Sequence, residues 1–143
     1  MYKAIDVLLI EDNPSDAKLI IRTLQKNNLS NDVVHLKDGA EALDFIFARG
    51  AYISRNPTNK PKVILLDLKM PRVNGFEVLK AIKSNENTLH IPVIVMSSSK
   101  AETDIAASYK LGANSYIVKP MEFETFSKTV TCLGMYWLKI NQG

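Results

Sequence analysis

Short apolar runs recur along the chain at Val7-Leu8-Leu9-Ile10, Val63-Ile64-Leu65-Leu66, Ile91-Pro92-Val93-Ile94-Val95-Met96 and Tyr116-Ile117-Val118, with a weaker one at Val33-Val34-His35-Leu36. A run without polar alternation suits a strand buried on both faces, as in a parallel sheet covered by helices. Pro92 has no amide donor and belongs at the start of its strand. Between the runs the apolar spacing changes to that of a helix. Asn13-Pro14 supplies a cap and a first-turn proline ahead of Ala17, Ile20, Ile21 and Leu24, which predicts a helix to about Asn28. Asp38 caps a second helix with Ala42, Phe45 and Ile46 inward. An Asn74-Gly75 turn leads into Phe76, Leu79 and Ile82. A fourth helix, with Ile105 and Tyr109 on one side, spans about Ala101 to Lys110 and stops at Gly112. Phe123, Phe126, Val130, Leu133, Trp137 and Ile140 form one stripe on a long last helix from Glu122 to about Asn141. The segment from Gly50 to Pro61 has no periodicity and is long for a connection in such a domain, so it reads as a mobile insertion more than a recognition loop.

Five strand–helix units in series require a parallel sheet with right-handed crossovers. They cannot close an eight-stranded barrel. The expected fold is therefore α/β, a doubly wound five-stranded sheet of order 2-1-3-4-5, in which strands one and three meet at the switch point where such sheets bind ligands. Strand one exits into Glu11-Asp12 and strand three into Asp67, while strands four and five exit into Ser97 and Lys119. One crevice thus collects three carboxylates, a hydroxyl and an amine.

Three carboxylates that close repel, and a cation is the simplest way to keep them ionised together. Oxygen ligands without His or Cys select a hard divalent ion, Mg²⁺ first and Mn²⁺ next. Such a site attracts a phosphoryl group, whose remaining oxygens Lys119 and Ser97 can take. Asp67 can serve as its nucleophile, as in aspartyl-phosphate chemistry generally.

Glu11-Asp12, Asp67, Ser97, Tyr116 and Lys119-Pro120, at these positions relative to the strands, resemble the response-regulator receiver family, the CheY-like domains of two-component signalling, over nearly the whole chain. The resemblance implies that Asp67 accepts a phosphoryl group from a phosphohistidine on a sensor histidine kinase. It implies direct metal ligation by Asp12, Asp67 and the main-chain carbonyl of Lys69, with Glu11 acting through water. Ser97 and Tyr116 stand where the family has its switch residues. The chain would then be a signalling phosphoacceptor that catalyses only its own phosphotransfer and dephosphorylation. The stretch Leu8 to Asp16, the basic insertion and the aromatic last helix look most like single-domain regulators of the bacteriophytochrome type. Lys69 and the Ser98-Ser99 pair depart from common receivers, which makes Lys69 and Ser99 candidates for setting the phosphoryl lifetime.

Other classes fit less well. A haloacid-dehalogenase-type phosphatase wants a second Asp two residues after the nucleophile, where this chain has Lys69. Glu11-Asp12 would repel the flavin phosphate of a flavodoxin-like electron carrier. A non-phosphorylated receiver used as a binding module remains an alternative, against which the full set of acceptor, acids, hydroxyl and lysine argues.

At 143 residues the expectation is a single receiver domain, 1–143, without an output domain, so that signal leaves by contact with a downstream target protein. Lysines and arginines number 18 against 15 acids and are scattered, which speaks against nucleic acid as a partner. No apolar stretch is long enough for a membrane span, and no leader is expected at the start, Met1 to Asp6, which has no long apolar core. A lone cysteine, Cys132, expected as a small buried hydrophobe, suits a reducing cytoplasm. His35 is expected to pack or to be satisfied at the surface. Met135, Tyr136 and Leu138 fall off the last helix's stripe and are candidates for a homodimer interface.

Overall fold

The computed structural model describes residues 4–30 and 32–142; Met1 to Lys3, where the absence of a leader was expected, lie outside them. The chain runs β1 (Val7–Ile10), α1 (Pro14–Lys26), β2 (Val33–Leu36), α2 (Gly39–Ile46), a 3₁₀ turn (Gly50–Tyr52), β3 (Val63–Leu66), α3 (Gly75–Ser84), β4 (Val93–Ser97), α4 (Glu102–Lys110), β5 (Ser115–Val118) and α5 (Phe123–Gly134), with a π-helical turn over Met135–Ile140. The sheet is parallel throughout, in the order β2-β1-β3-β4-β5, as the pattern predicts.

Successive strand residues face opposite sides, and here both sides are covered. Leu8, Ile10, Ile64, Leu66, Val93 and Val95 pack with Ala42, Phe45, Val78, Leu79 and Ile82 of α2 and α3. Val7, Leu9, Val63, Leu65, Ile94 and Met96 pack with Ala17, Ile20 and Leu24 of α1 and Phe126, Val130 and Leu133 of α5. That is why the three central strands carry apolar residues throughout, until Ser97 at the very end of β4. Each fully buried Leu or Ile contributes about 1.5–3 kcal/mol.

The helix starts follow the capping chemistry in the sequence. Asn13 accepts from the amides of Ser15 and Asp16, and Asp38 Oδ1 accepts from Glu41 N at 2.8 Å. The expected Asn74-Gly75 turn is instead the start of α3: Asn74 caps by accepting from Glu77 N, and Gly75 is the first helical residue. Gly75 is there because a Cβ would stand 2.3 Å from the Asp67 carbonyl oxygen. The caps at 13, 38 and 74 leave the strand exits short and close to the helix starts.

Four further expectations need correction. The last helix lapses into a π turn closed by Asn141 N donating to Tyr136 O, a bond across five residues that breaks the 3.6-residue phase. Consequently Ile140 of the expected stripe is 58% exposed, while Leu138, expected outside it, is half-buried beside Trp137 on the α1–α5 core; Phe123, at the other end of the stripe on the first turn of α5, is 71% exposed as well. Cys132 is exposed, since Val130 and Leu133 take the inward positions. In α4 only Ser108 is buried, and Tyr109 is exposed. The insertion is anchored: the Arg55 guanidinium lies 4.0 Å from the Phe45 ring centroid and donates to the carbonyls of Phe45 and Asn59, with Tyr52 edge-on to the same ring. His35 is satisfied, as expected, through Nε2 at 2.9 Å from the Glu11 carbonyl.

Candidate functional site

β1 and β3 pair in register, so that the residues after Ile10 and Leu66 emerge side by side, and Asp67 N donates to Ile10 O. Glu11, Asp12 and Asp67 each offer a carboxylate oxygen, and these oxygens all lie within 4.8 Å of one another. Glu11 and Asp67 are buried and Asp12 is exposed, so the cluster opens to solvent on the Asp12 side. β4 and β5 bring the rest. Ser97 pairs with Val118, and Lys119 N donates to Ser97 O at 2.7 Å.

The Lys119 ammonium sits within the acids, 2.6 Å from Glu11 Oε1 and 3.7 Å from Asp67 Oδ1. Asp16, on the first turn of α1, takes it at 3.0 Å. Burial alone would lower the Lys119 ammonium, but Glu11, Asp67 and Asp16 hold it above its ordinary value. Asp67 moves the other way. Burial is the largest cause and the Glu11 charge the next; against the opposing pull of Lys119 they push the Asp67 carboxyl up to about 8. One lysine shared among three acids does not balance them.

That imbalance is the test of whether a cation fits. Three convergent hard oxygen donors, one of them held in its protonated range by its neighbours, match a divalent ion in donor type and charge. The main-chain carbonyl of Lys69 lies two residues past Asp67 in the loop to α3; its side chain is exposed.

The two expected switch residues meet through Ser99. Ser97, fully buried, accepts at Oγ from Ser99 N, and Tyr116, half-buried, donates its hydroxyl to Ser99 O at 2.9 Å. Ser99 Oγ also donates to Asp104 Oδ2 at 2.6 Å and accepts from Ala101 N, tying this loop to the start of α4. Met135 and Tyr136 are exposed and far along the chain from this cluster; Leu138 is not free in the same way.

Asp16 is the site residue that sequence reasoning missed. Its position was readable in retrospect, because the Asn13 cap places the third residue beyond it on the first turn, directly after the acidic strand exit. Beside the cluster a cavity of about 570 Å³ opens between α1 and the segment leading from β5 to α5, lined by Asp16, Lys18, Leu19, Lys119, Met121 and Phe123 among others. Met121 and Phe123 are exposed.

Comparison with known proteins places this geometry. The sequence model of the response regulator receiver domain matches residues 7–131. The response regulator Rcp1 of Synechocystis sp. is 35% identical over 133 residues, covering 93% of this chain and 88% of its own length. Its Mn²⁺-bound crystal structure superposes with a TM-score of 0.89, at 33% identity over 96% of this chain and 97% of that one. The phosphorylated cyanobacterial phytochrome response regulator RcpA gives a TM-score of 0.90 at 35% identity, covering 98% of both chains. The bacteriophytochrome response regulator AtBRR gives 0.77 at 40% identity, covering 99% of this chain and 97% of that one.

Proposed function

Because the chain belongs to the response regulator receiver family, we propose that it is a two-component regulator whose Asp67 accepts a phosphoryl group from a phosphohistidine on a sensor kinase. The observation that carries this reading is the buried Asp67 carboxyl among Glu11, Asp12 and Lys119. In the transfer, an Asp67 carboxylate oxygen forms a P–O bond as the P–N bond to the donor imidazole breaks, and the imidazole leaves with the electron pair. Lys119 and Ser97 bind the phosphoryl oxygens: Lys119 is already 3.7 Å from Asp67, and Ser97, whose Oγ accepts from the Ser99 amide, would donate its hydroxyl to one of them.

Asp12, Asp67 and the Lys69 carbonyl would hold a divalent ion, with Glu11 acting through water. Mg²⁺ is the first choice and Mn²⁺ the second, the ion in the Rcp1 structure. When bound, that ion neutralises charge on the phosphoryl oxygens and lets Asp67 stay ionised at neutral pH. The donor kinase docks at the cavity between α1 and the β5–α5 segment, where apolar Met121 and Phe123 sit beside Lys18 and Arg22.

The donor is a phytochrome-type kinase, a reading that leans on RcpA and AtBRR, and the work is done in the cytoplasm. Output passes by contact to a downstream protein and through a homodimer on the α5 face, with Met135 and Tyr136 as its exposed anchors and Leu138 supporting them from within. Lys69 and Ser99 set the phosphoryl lifetime, Lys69 by standing in the path of the hydrolytic water.

Incubation with acetyl phosphate and Mg²⁺, read by intact mass, tests the reading. A single phosphoryl adduct on the wild-type chain, absent from Asp67→Asn, is expected; an adduct on Asp67→Asn at the wild-type rate would sink it. Sedimentation with and without beryllofluoride, on wild type and on Met135→Asp, Tyr136→Asp, checks the dimer.

A further inference from the structure

The loop from Asp67 to Gly75 carries the acceptor and the Lys69 carbonyl, and Arg72 in its middle adopts φ +62°. Arginine seldom holds a left-handed backbone unless its surroundings impose it. Here the side chain is held: Arg72 Nη2 donates to Asp38 Oδ2 at 2.8 Å. Asp38 is itself committed, because its other oxygen caps α2 through Glu41 N. Two close backbone approaches flank the pair. A Cβ on Gly39, the residue after Asp38, would stand 2.1 Å from the Val73 carbonyl oxygen, and Gly75 lies just as tightly on the Asp67 carbonyl. Gly75 N closes the loop by donating to Leu68 O at 2.9 Å.

We infer that Asp38 and Arg72 are positioning residues for the phosphoryl site. A single carboxylate ties the start of α2 to the middle of the acceptor loop, and so fixes the direction of the Lys69 carbonyl and the Asp67 side chain. Neither residue touches the reacting atoms. An ion pair whose arginine is largely exposed adds little to global stability, so its effect falls on the loop it restrains. The inference rests on the reading of Asp67 as phosphoacceptor and names residues that tune that site.

The test uses Arg72→Gly and Asp38→Asn. Glycine removes the pair and suits the left-handed backbone. Asparagine keeps an oxygen for Glu41 N but turns its amide nitrogen toward the guanidinium. In metal-free protein the Gly75 amide should exchange faster in both variants. Mg²⁺ affinity and the rate with acetyl phosphate should each fall about three- to fivefold, the scale an exposed ion pair can supply. The thermal midpoint of Arg72→Gly should hold or rise. Arg72→Lys should recover most of the loss, and the double variant should be no worse than the poorer single one. Wild-type Gly75 protection with wild-type Mg²⁺ affinity in both variants would overturn the proposal, as would a loss of affinity that only follows a loss of thermal stability. If wild-type Asp67 takes no phosphoryl group, the acceptor reading fails instead, and Gly75 exchange still decides the clamp.

Discussion

Every residue of β1, β3 and β4 is buried, whereas all four residues of β5 are half-exposed and α4 buries one side chain, Ser108. The acids and their lysine hang from the first region at Ile10 and Leu66, and from Val118 where β5 still pairs with β4. Ser97 and Tyr116, the expected switch residues, reach into the second through Ser99, Asp104 and Tyr109. Close packing leaves the central strands a single arrangement, so the spacing of Asp67 and Glu11 is fixed before any ligand arrives. β5 keeps its ladder with β4, but α4 and the loop before it are tied to the flank through single side-chain hydrogen bonds and can change their arrangement at smaller cost. Rigid chemistry on one side and cheap movement on the other is what a phosphorylation switch requires.

The sharpest way to break this division is to remove the charge on which the buried side depends. Lys119→Met leaves Glu11 buried and unpaired, and Asp67 without its one opposing cation. Removing one partner of a buried pair costs about 3–5 kcal/mol. Urea unfolding in the absence of metal should show that loss. A cost below about 1 kcal/mol would mean that the acids are solvated and the site is not pre-formed.

Asp67 sets the pH dependence. Its folded value is about 8 against an ordinary 3.8, so the folded chain holds a proton that the unfolded chain has lost. The stability it contributes is complete below about pH 3.8 and is lost as pH rises through about 8. Metal-free wild type should therefore melt lower at pH 8 than at pH 5.5 relative to Asp67→Asn, which has no such proton to lose. Mg²⁺ should raise the wild-type midpoint more at the higher pH. Parallel pH profiles for the two proteins would remove Asp67 as the source.

The same contrast marks what was legible in the sequence. β1, β3 and β4 were plain because burial on both faces writes an unbroken apolar run. The acids at their exits were plain because the sheet order puts those exits together. The end of α5 was not: the phase of its stripe assumed 3.6 residues per turn, and the π turn at Met135–Ile140 brought Leu138 inward and left Ile140 outside. α4 was misread because Tyr109 stands at a core position in the helical pattern but covers the sheet edge from outside. The Asn13 cap marks where Asp16 sits on α1, but its pairing with Lys119, like the Asp38–Arg72 tie, is a contact between elements distant in sequence, which no local pattern records. The order of the Gly50–Pro61 segment hangs on one arginine over one ring.

Packing should separate the regions next. Ile64→Ala in β3 opens a cavity where nothing can collapse and should cost about 2–5 kcal/mol. Ile105→Ala in α4, at a half-exposed position, should cost less than about 1 kcal/mol, since there the neighbours and solvent can close the gap. Equal losses in denaturant titrations would mean that α4 belongs to the rigid half.

The smallest effect is also the most specific. β5 is an edge strand, and Tyr109 Oη accepts from Tyr116 N at 3.1 Å, so an α4 side chain covers an amide that would otherwise face outward. Tyr109→Phe keeps the ring and removes that acceptor. Since Tyr109 is about half exposed, water can replace the hydroxyl, and the expected cost is at most about 0.5–1.5 kcal/mol, the net worth of one hydrogen bond. The decisive reading is local. Tyr116 amide exchange should accelerate while the Ile64 and Leu65 amides in β3 remain as protected as in wild type. If β3 loosens together with Tyr116, the sheet opens as one cooperative unit, and the switch cannot lie in the α4–β5 flank alone.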